Sequence, residues 1–441
     1  MKNRTRNALI GLAVFILIAI GLYNIPFIHN KLAWRWENVQ TSIYYYFHPP
    51  QEVVFIPTQQ ALLTQTVNMS IATPTVTPPS QLTTPTITST RIPVSFILDN
   101  IIFVNQNDRW NYCGPANLAM ALDYWGWTGT KYDVGAVVKP GANDPNLDPN
   151  QRTNTDVNVM PYEMVDFVND YTPYKALYRY GGDVYLLKQL IAAGFPVIVE
   201  KAVHQVLAPE YTLQWAGHFA FTTGYDDSQQ EFVWQDSLVT EQDPIGENKR
   251  TSYSDYIQGW RAFNYVFIVV YPPEREVELY QVLGNWTNET WAAQNALNIA
   301  EQESQSLNGI DSLFNLFDKG TSYGLIGDYG NAALAYDQFF QLYDAMPKAD
   351  RPYRIFYWYQ TGALKAYYNT SRYQDVIILA TKNLESIKSP RSLEESLYYR
   401  ALAEAELGLY DEAYADMRLA VYYNMNFKLA LDKLAQWGIS P

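Results

Sequence analysis

The pattern of apolar and polar positions predicts a membrane segment at the start of the chain. Residues 8–28 are uncharged and mostly apolar, and Lys2, Arg4 and Arg6 precede them. A run of roughly 20 such residues is long enough to cross a bilayer, and positive charges are typical of the cytoplasmic side. We therefore expect a cytoplasmic tail at 1–7, a single transmembrane anchor at 8–28 and an extracytoplasmic location for the rest. A cleaved signal peptide is the alternative, although no small-x-small site follows the run.

The pattern then changes to a juxtamembrane segment and stalk at residues 29–93. From about Pro57 to Pro93 the composition is dominated by Thr, Pro, Ser and Gln. Such a sequence cannot bury an apolar core and predicts an extended, semi-rigid spacer. We expect this spacer to hold the rest of the protein away from the membrane.

Regular apolar spacing returns at residue 94 and indicates a folded domain over residues 94–273. In NDRWNYCGPANLAMALDYWG, apolar residues recur at helical spacing, Pro115 suits a first helical position and Gly126 suits a helix end. Cys113 therefore lies at a predicted helix N-terminus, where the helix dipole favours the nucleophilic thiolate. It is the only cysteine, which excludes an internal disulfide or a CxxC pair. The alternative for a lone cysteine is a small buried hydrophobe.

Four histidines limit the choice of a base for Cys113. His29 and His48 flank the predicted span and stalk, and His204 follows the predicted strand FPVIVE in what we expect to be a surface loop. His218 belongs to WAGHFAFTTGYDD, whose period-two alternation predicts a strand closed by a turn. Of the four, His218 alone is expected on a rigid element of the domain that contains Cys113.

A candidate partner for His218 follows in the returning strand of the same predicted hairpin. A turn near Asp227 places His218 and Asp236 at equal distances from it, and therefore opposite one another. A carboxylate in that position orients the imidazole and supports its charged form. Asp226 and Asp227 themselves are expected to hydrogen-bond the turn backbone.

These segments resemble the papain-like cysteine peptidases of family thirty-nine, the bacteriocin-processing or double-glycine peptidases. The resemblance depends on QNDRWNYCGPANLAMAL, GHFAFTTGYD and the following DS, and it covers roughly residues 94–273. It implies a papain-like fold in which Cys113 is the nucleophile, His218 the base, Asp236 the group that orients His218, and Gln106 an oxyanion donor.

The position of the oxyanion donor departs from the family pattern. Gln106 lies seven residues before Cys113, whereas the usual spacing is six, which is the position of Asn107. Both side chains carry an NH2 donor, so either one is chemically suited to the role. Gln106 is preferred for its longer reach.

Residues 274–441 show a helical pattern with a repeated signature. GDYGNAALAYDQFF, SRYQDVIILATKNL and GLYDEAYADMRLAV each contain a tyrosine followed three residues later by a small or aliphatic residue, at Tyr329/Ala332, Tyr373/Val376 and Tyr410/Ala413. This resembles tetratricopeptide repeats, in which such residues let paired helices approach closely. The tyrosines are 44 and 37 residues apart instead of about 34, which predicts insertions between helices.

Two roles remain open for this helical array. It either presents a groove to a protein partner or buttresses the preceding domain. If the aromatic side chains of Tyr357, Trp358 and Tyr359 are exposed, they favour a groove. If they are buried between helices, they favour a buttress.

Taken together, the predicted fold class is α+β, with a papain-like domain followed by all-α tetratricopeptide-like repeats. The net charge of −14 argues against a nucleic-acid partner. We expect a membrane-anchored cysteine peptidase that acts on peptides or proteins without a metal or organic cofactor. The alternatives are a related acyl transferase or amidase, and a non-catalytic binding module on a degenerate peptidase fold.

Overall fold

The computed structural model describes residues 55–58, 92–208, 211–240, 243–347, 350–387 and 392–441. The predicted anchor at 8–28 and most of the predicted stalk lie outside these ranges. Within them, no helix is long and apolar enough to span a bilayer.

An antiparallel sheet forms the centre of the first region. Seven strands occur within the described residues: β1 Ser95–Ile97, β2 Lys175–Arg179, β3 Val197–Ala208, β4 Tyr211–Asp226, β5 Glu231–Gln235, β6 Lys249–Ser252 and β7 Phe267–Tyr271. Their order is β2-β7-β3-β4-β5-β6, and β1 pairs with the last residues of β4. The predicted strand from residue 94 is thus limited to three residues. His204 lies within β3 and not, as expected, in a loop.

Helices cover both faces of this sheet. They are α1 Cys113–Tyr124, α2 Lys131–Val138, α3 Pro149–Thr153, α4 Pro161–Tyr171, α5 Val184–Ala192 and α6 Tyr253–Arg261. On one face, Leu118 of α1 packs in a core with Phe221 and Ile268 of the sheet. On the other face, Leu190 of α5 and Trp260 of α6 belong to a second core. The mixed α/β arrangement that was predicted for this region is confirmed in this coarse form.

The remaining helices form a stack at the C-terminal end. They are α7 Glu276–Leu283, α8 Glu289–Glu303, α9 Ile310–Leu325, α10 Tyr329–Ala345, α11 Tyr353–Trp358, α12 Gly362–Asn369, α13 Tyr373–Glu385, α14 Glu394–Glu406, α15 Tyr410–Tyr423 and α16 Lys428–Trp437. From α8 onward each helix packs on the next, with the exception of α11, which lies between α13 of the stack and β4 of the sheet.

The repeated tyrosine signature marks the second helix of each pair in this stack. Tyr329, Tyr373 and Tyr410 are the first residues of α10, α13 and α15. The small or aliphatic residue that follows each of them is fully buried, namely Ala332, Val376 and Ala413. The longer interval between the first two tyrosines contains α11, so the predicted insertion is this short helix and its flanking loops.

The helical stack packs directly against the sheet region. Ala262 and Phe263, which follow α6, share one apolar core with Phe314 of α9 and Phe356 of α11. Arg261 adds an ion pair to Glu303, with Nε and Oε2 3.0 Å apart. The two regions therefore meet along a continuous seam.

Two segments whose exposure the sequence left open are buried in the structure. Tyr357 and Trp358 are 2% exposed and fill this seam, so they do not line an open groove. Phe55, at the end of the predicted juxtamembrane segment, is buried, and its ring centroid lies 4.7 Å from that of Phe340. Apolar burial of Phe55 and the hydrogen bonds of Thr58 to Asp375 thus hold residues 55–58 against the helical stack, so the start of the predicted spacer is docked on this stack.

Candidate active site

The site is built around the start of α1. The helix begins at Cys113, and its first turn contains Pro115, whose missing N–H has no intrahelical partner to lose. Cys113 is buried and lies against the imidazole of His218, which is also buried. The backbone N–H groups of Gly114 and Phe219 both point at the sulfur. A cysteine at this helix start is therefore surrounded by donors that favour a thiolate.

His218 in turn contacts Asp236, but not through the symmetric pairing that the sequence predicts. Phe221 pairs with Gln235, and a bulge follows between Thr222 and Gly224, so continuing the ladder by one residue would place Asp236 opposite Ala220. The two side chains meet diagonally, with Nε2 of His218 2.8 Å from Oδ1 of Asp236. This leaves Nδ1 of the imidazole to face Cys113.

Lys249 of β6 provides a cation that sequence reasoning missed. Its Nζ donates to Oδ2 of Asp236 at 2.8 Å, while the backbone N–H of Leu238 donates to Oδ1 at 3.0 Å. Lys249 lies one strand beyond Asp236, so neither motif spacing nor residue pattern marks it. Asp236 therefore accepts hydrogen bonds at both oxygens and has two positively charged neighbours when His218 is protonated.

The electrostatics of these groups favour an ion pair. Burial alone would raise the pKa of Cys113. The hydrogen bond from His218 and the charge of His218 outweigh burial, so the pKa of Cys113 is lowered. Burial lowers the pKa of His218, whereas Asp236 and the thiolate raise it to about 9. Burial also raises the pKa of Asp236, but His218 and Lys249 bring it down to about 2. The three shifts together favour a thiolate, an imidazolium and a carboxylate over the neutral forms of these groups.

Gln106 and Asn107 are distinguished by their hydrogen bonds. Asn107 is held at both ends by Val239, because its Nδ2 donates to the carbonyl at 2.7 Å and its Oδ1 accepts from the N–H at 3.2 Å. Gln106 uses only its oxygen, which accepts from the hydroxyl of Ser237 at 2.9 Å. Among the described residues, the NH2 of Gln106 has no partner. Gln106 therefore retains the free donor that an oxyanion site needs.

Asn117 connects the elements that carry these groups. Its Nδ2 donates to the carbonyl oxygen of Cys113 at 2.8 Å and to that of Phe219 at 3.0 Å. The same nitrogen lies 3.2 Å from the hydroxyl of Ser237, which holds Gln106. One buried amide thus ties α1 to β4 and to the residue after Asp236, a long-range network that no local sequence signal predicts.

A narrow pocket opens beside the sulfur. Its walls include Val159, Phe219, Glu200 from β3, and Tyr359 from the loop after α11. A Cβ atom at Gly217 would lie 2.7 Å from the ring of Tyr359, so only glycine allows this approach. The helical region therefore contributes a wall to the site. Sequence reasoning missed Glu200, which ends the apolar run FPVIVE, and placed Tyr359 in the repeats alone.

Among the described residues, no cluster of three or more His, Cys, Asp or Glu side chains is arranged to hold a metal ion. The polar groups around Cys113 are instead a nucleophile, a base with its carboxylate, and amide donors. This set is suited to attack on a carbonyl carbon.

Comparisons with known proteins yield a structural neighbour and a family match. No curated protein matches the chain significantly. A solved structure from Bacillus anthracis, assigned as a C39-like peptidase, is 21% identical, with 40% of this chain and 96% of that chain covered at a TM-score of 0.30. Residues 98–268, which contain Cys113, His218 and Asp236, match the model of the Peptidase_C39 like family.

Proposed function

We propose that the protein is a papain-like cysteine peptidase that hydrolyses peptide bonds through Cys113, His218 and Asp236, with Gln106 as an oxyanion donor. The observation that carries the proposal is the buried chain of contacts from the sulfur at a helix start to an imidazole and on to a carboxylate 2.8 Å away. The family match over residues 98–268 supports a peptidase fold.

The proposed reaction has two steps. The Cys113 thiolate attacks the scissile carbonyl carbon, and the NH2 of Gln106 hydrogen-bonds the oxyanion that forms. His218 gives its Nδ1 proton to the leaving amine as the carbon–nitrogen bond breaks and a thioester remains. His218 then accepts a proton from water, which attacks the thioester and releases the carboxylic acid and the thiolate. Asp236 keeps Nε2 protonated and the ring oriented throughout.

The proposal includes a location and a role for the helical region. The apolar run at residues 8–28 supports a single-pass anchor in the cell membrane with the bulk of the chain outside the cytoplasm. The paired helices and their signature tyrosines support a tetratricopeptide-like array. Since Tyr359 lines the pocket, this array acts as part of the substrate site, and its outer surface remains a candidate for a protein partner.

The first test measures the ionisation of the thiol. The rate at which iodoacetamide alkylates Cys113 is determined from pH 4 to pH 10 in wild type and in His218→Ala. At pH 6 we expect wild type to react about 100-fold faster than His218→Ala, since an ordinary thiol is less than about 1% ionised there. Cys113→Ser serves as the blank. Equal rates in both proteins would identify a non-catalytic module.

The second test identifies the reaction. The full-length protein is incubated with a peptide library, with and without an added amine, and products are identified by mass spectrometry. Cleaved peptides with free carboxyl ends support hydrolysis, and their absence from the Cys113→Ser sample assigns it to this site. Products that carry the added amine instead would make the protein an acyl transferase, which the same residues support when an amine replaces water.

A further inference from the structure

The pocket beside Cys113 contains a carboxyl group that the proposed hydrolysis does not use. Glu200 lies on β3 opposite Phe219 of β4, and its side chain is 3% exposed. It lines the same pocket as the sulfur of Cys113. A second acid at this position therefore faces the place where substrate must bind.

Glu200 has no hydrogen-bond or ion-pair partner among the described residues. The next residue, Lys201, is directed to the other face of the sheet, as alternation along a strand requires. Its Nζ lies over the rings of Trp234 and Tyr256, at 4.3 and 4.5 Å from their centroids. Buried acids are normally paired, because an isolated buried charge is strongly unfavourable. An unpaired one that lines a pocket points to a ligand that supplies the missing cation.

The surroundings of Glu200 suit a positively charged group. Phe219 and Tyr359 contribute aromatic rings to the pocket, and ring faces attract cations. Burial, and then the charge of Cys113, raises the pKa of Glu200 and favours its neutral form in the free protein. A cation that enters the pocket stabilises the carboxylate. The net charge of −14 on the chain also attracts basic substrates.

We propose that Glu200 forms a cation-binding subsite, which takes an ammonium group of the substrate next to the scissile bond. Two sources supply this chemistry: the side chain of a lysine on the acyl side of the bond, and a free α-amino group at the substrate N-terminus. That the bound cation belongs to a substrate rests on the proposed function. The affinity of the pocket for cations is testable without any cleavage.

The first experiment uses three small thiosulfonates that modify Cys113: the cationic 2-aminoethyl, the neutral methyl and the anionic 2-sulfonatoethyl reagent. Each transfers its alkylthio group to the sulfur and releases methanesulfinate. Rates are measured at one fixed pH in wild type and Glu200→Gln. We expect the ratio of the cationic to the neutral rate to fall about tenfold in Glu200→Gln, the effect of one charge-assisted hydrogen bond.

Two controls separate this effect from others. Glu247→Gln removes the same charge from an exposed position, and its ratio should equal that of wild type. The midpoint of thermal unfolding of Glu200→Gln reports whether the isosteric variant is folded. A ratio unchanged in folded Glu200→Gln overturns the proposal. So does an equal change in the rates of all three reagents, because that would make Glu200 only a modulator of the thiolate.

The second experiment identifies the source of the ammonium group. Peptides that carry lysine or the uncharged norleucine before the scissile bond are compared in kcat/KM, each with a free and with an acetylated N-terminus. Loss of cleavage with norleucine assigns the subsite to the side chain, and loss on acetylation assigns it to the α-amino group. If neither change matters in wild type, the subsite does not act on substrates. If no peptide is cleaved at all, the proposed function fails, while the reagent ratios still decide the role of Glu200.

Discussion

Carboxyl groups are buried both at the active-site corner, formed by Cys113, His218, Asp236 and Lys249, and at the seam between the sheet and the helices. Their pKa values shift in opposite directions at the two places. At the corner, Asp236 faces His218 and Lys249, and its pKa falls to about 2. At the seam, Asp156 of the sheet region forms an isolated β-bridge with Ser392 of the helical region, and Asp156 and Glu394 are fully buried. Burial and the neighbouring Glu395 raise the pKa of Asp156 to about 7, although Lys139 opposes the shift.

The difference lies in the partners, since the depth of burial is similar. Within the described residues, no side chain donates a hydrogen bond to either oxygen of Asp156, and the backbone N–H of Asn158 lowers its pKa less than burial raises it. Glu394 accepts from the amide of Asn424 at 2.7 Å, and Glu395 accepts from that of Asn158 at 3.2 Å. Neutral amides satisfy a carboxyl oxygen without compensating its charge, whereas the two cations at Asp236 do both. Ionisation inside this protein is therefore decided by adjacent charge.

The largest effect, a loss of catalytic activity, is expected when the charge of Asp236 is removed. In Asp236→Asn, the amide stabilises neither the imidazolium nor the correct tautomer of His218. We expect kcat/KM at pH 7 to fall on the order of 10³- to 10⁴-fold. The alkylation profile of Cys113 should shift to higher pH, because the pKa of His218 falls when Asp236 is lost and the thiolate loses its counter-ion.

The matched control is Asp227→Asn, which removes a carboxylate from the turn of the same hairpin. Asp227 accepts from Lys188 at 2.7 Å and from the hydroxyl of Tyr253 at 2.7 Å, far along the sheet from the sulfur. Its activity should stay close to that of wild type. A comparable loss in both variants would mean that hairpin stability, and not charge at His218, controls the site.

A smaller effect is expected from the seam, and in stability instead of activity. Folding raises the pKa of Asp156 to about 7. The contribution of Asp156 to the free energy of unfolding is therefore fully present below its unfolded pKa near 4, and it is lost as the pH rises through 7. Asp156→Asn should remove this loss. The free energy of unfolding at pH 8, measured by urea denaturation, should exceed that of wild type by on the order of 2 to 4 kcal/mol.

The pH dependence separates this explanation from simple repacking. The advantage of Asp156→Asn should shrink toward pH 4, where the wild-type carboxyl is protonated in both states. Asp432→Asn removes a carboxylate from an exposed position of the helical region and should leave the curve unchanged. An advantage that is equal at pH 4 and pH 8 would contradict the charge argument.

Features of the active-site corner that depend on neighbouring residues in the sequence could be predicted, whereas contacts between residues on different strands could not. Cys113 at a helix start and His218 on a strand are local patterns, and the structure places both as the spacing predicts. Asp236 was chosen from symmetry about a turn at Asp227, but Asp226 pairs with Glu231, so the turn is centred between Ser228 and Gln229 and the contact depends on a diagonal reach. The bulge between Thr222 and Gly224 brings Asp236 one residue closer to His218 along the ladder, and neither the exact turn nor the bulge can be located from the apolar and polar pattern alone.

The seam and the pocket were harder to predict because they join residues distant in sequence. Glu200 is the last residue of an apolar run, where an acidic residue ordinarily marks the end of a strand. Tyr359 follows α11, the helix that lengthens the first repeat interval to 44 residues. That excess length was the signal available from sequence, since an insertion that interrupts a repeat often has a task outside the stack. Its destination beside Gly217 required the structure.

The smallest predicted effect tests whether two cations at Asp236 are better than one. In Lys249→Met, His218 still pairs with Asp236, so the corner stays ionised at neutral pH, and kcat/KM should fall roughly tenfold or less, the effect of one charge-assisted hydrogen bond. The pKa of Asp236 rises without Lys249, so activity should be lost at a higher pH on acidification than in wild type.

Lys188→Met is the matched control for this variant, since Lys188 pairs with Asp227 at 2.7 Å in the distant turn. It removes a similar ion pair that joins α5 to the turn of the β4–β5 hairpin, and the acid limb of its activity profile should coincide with that of wild type. If both lysine variants shift that limb equally, the change reflects general destabilisation of the sheet by loss of an ion pair. If only Lys249→Met shifts it, the charge next to Asp236 sets the acid limit. The pKa of each buried carboxyl group, at the corner and at the seam, then depends in a graded way on the number of cations that face it.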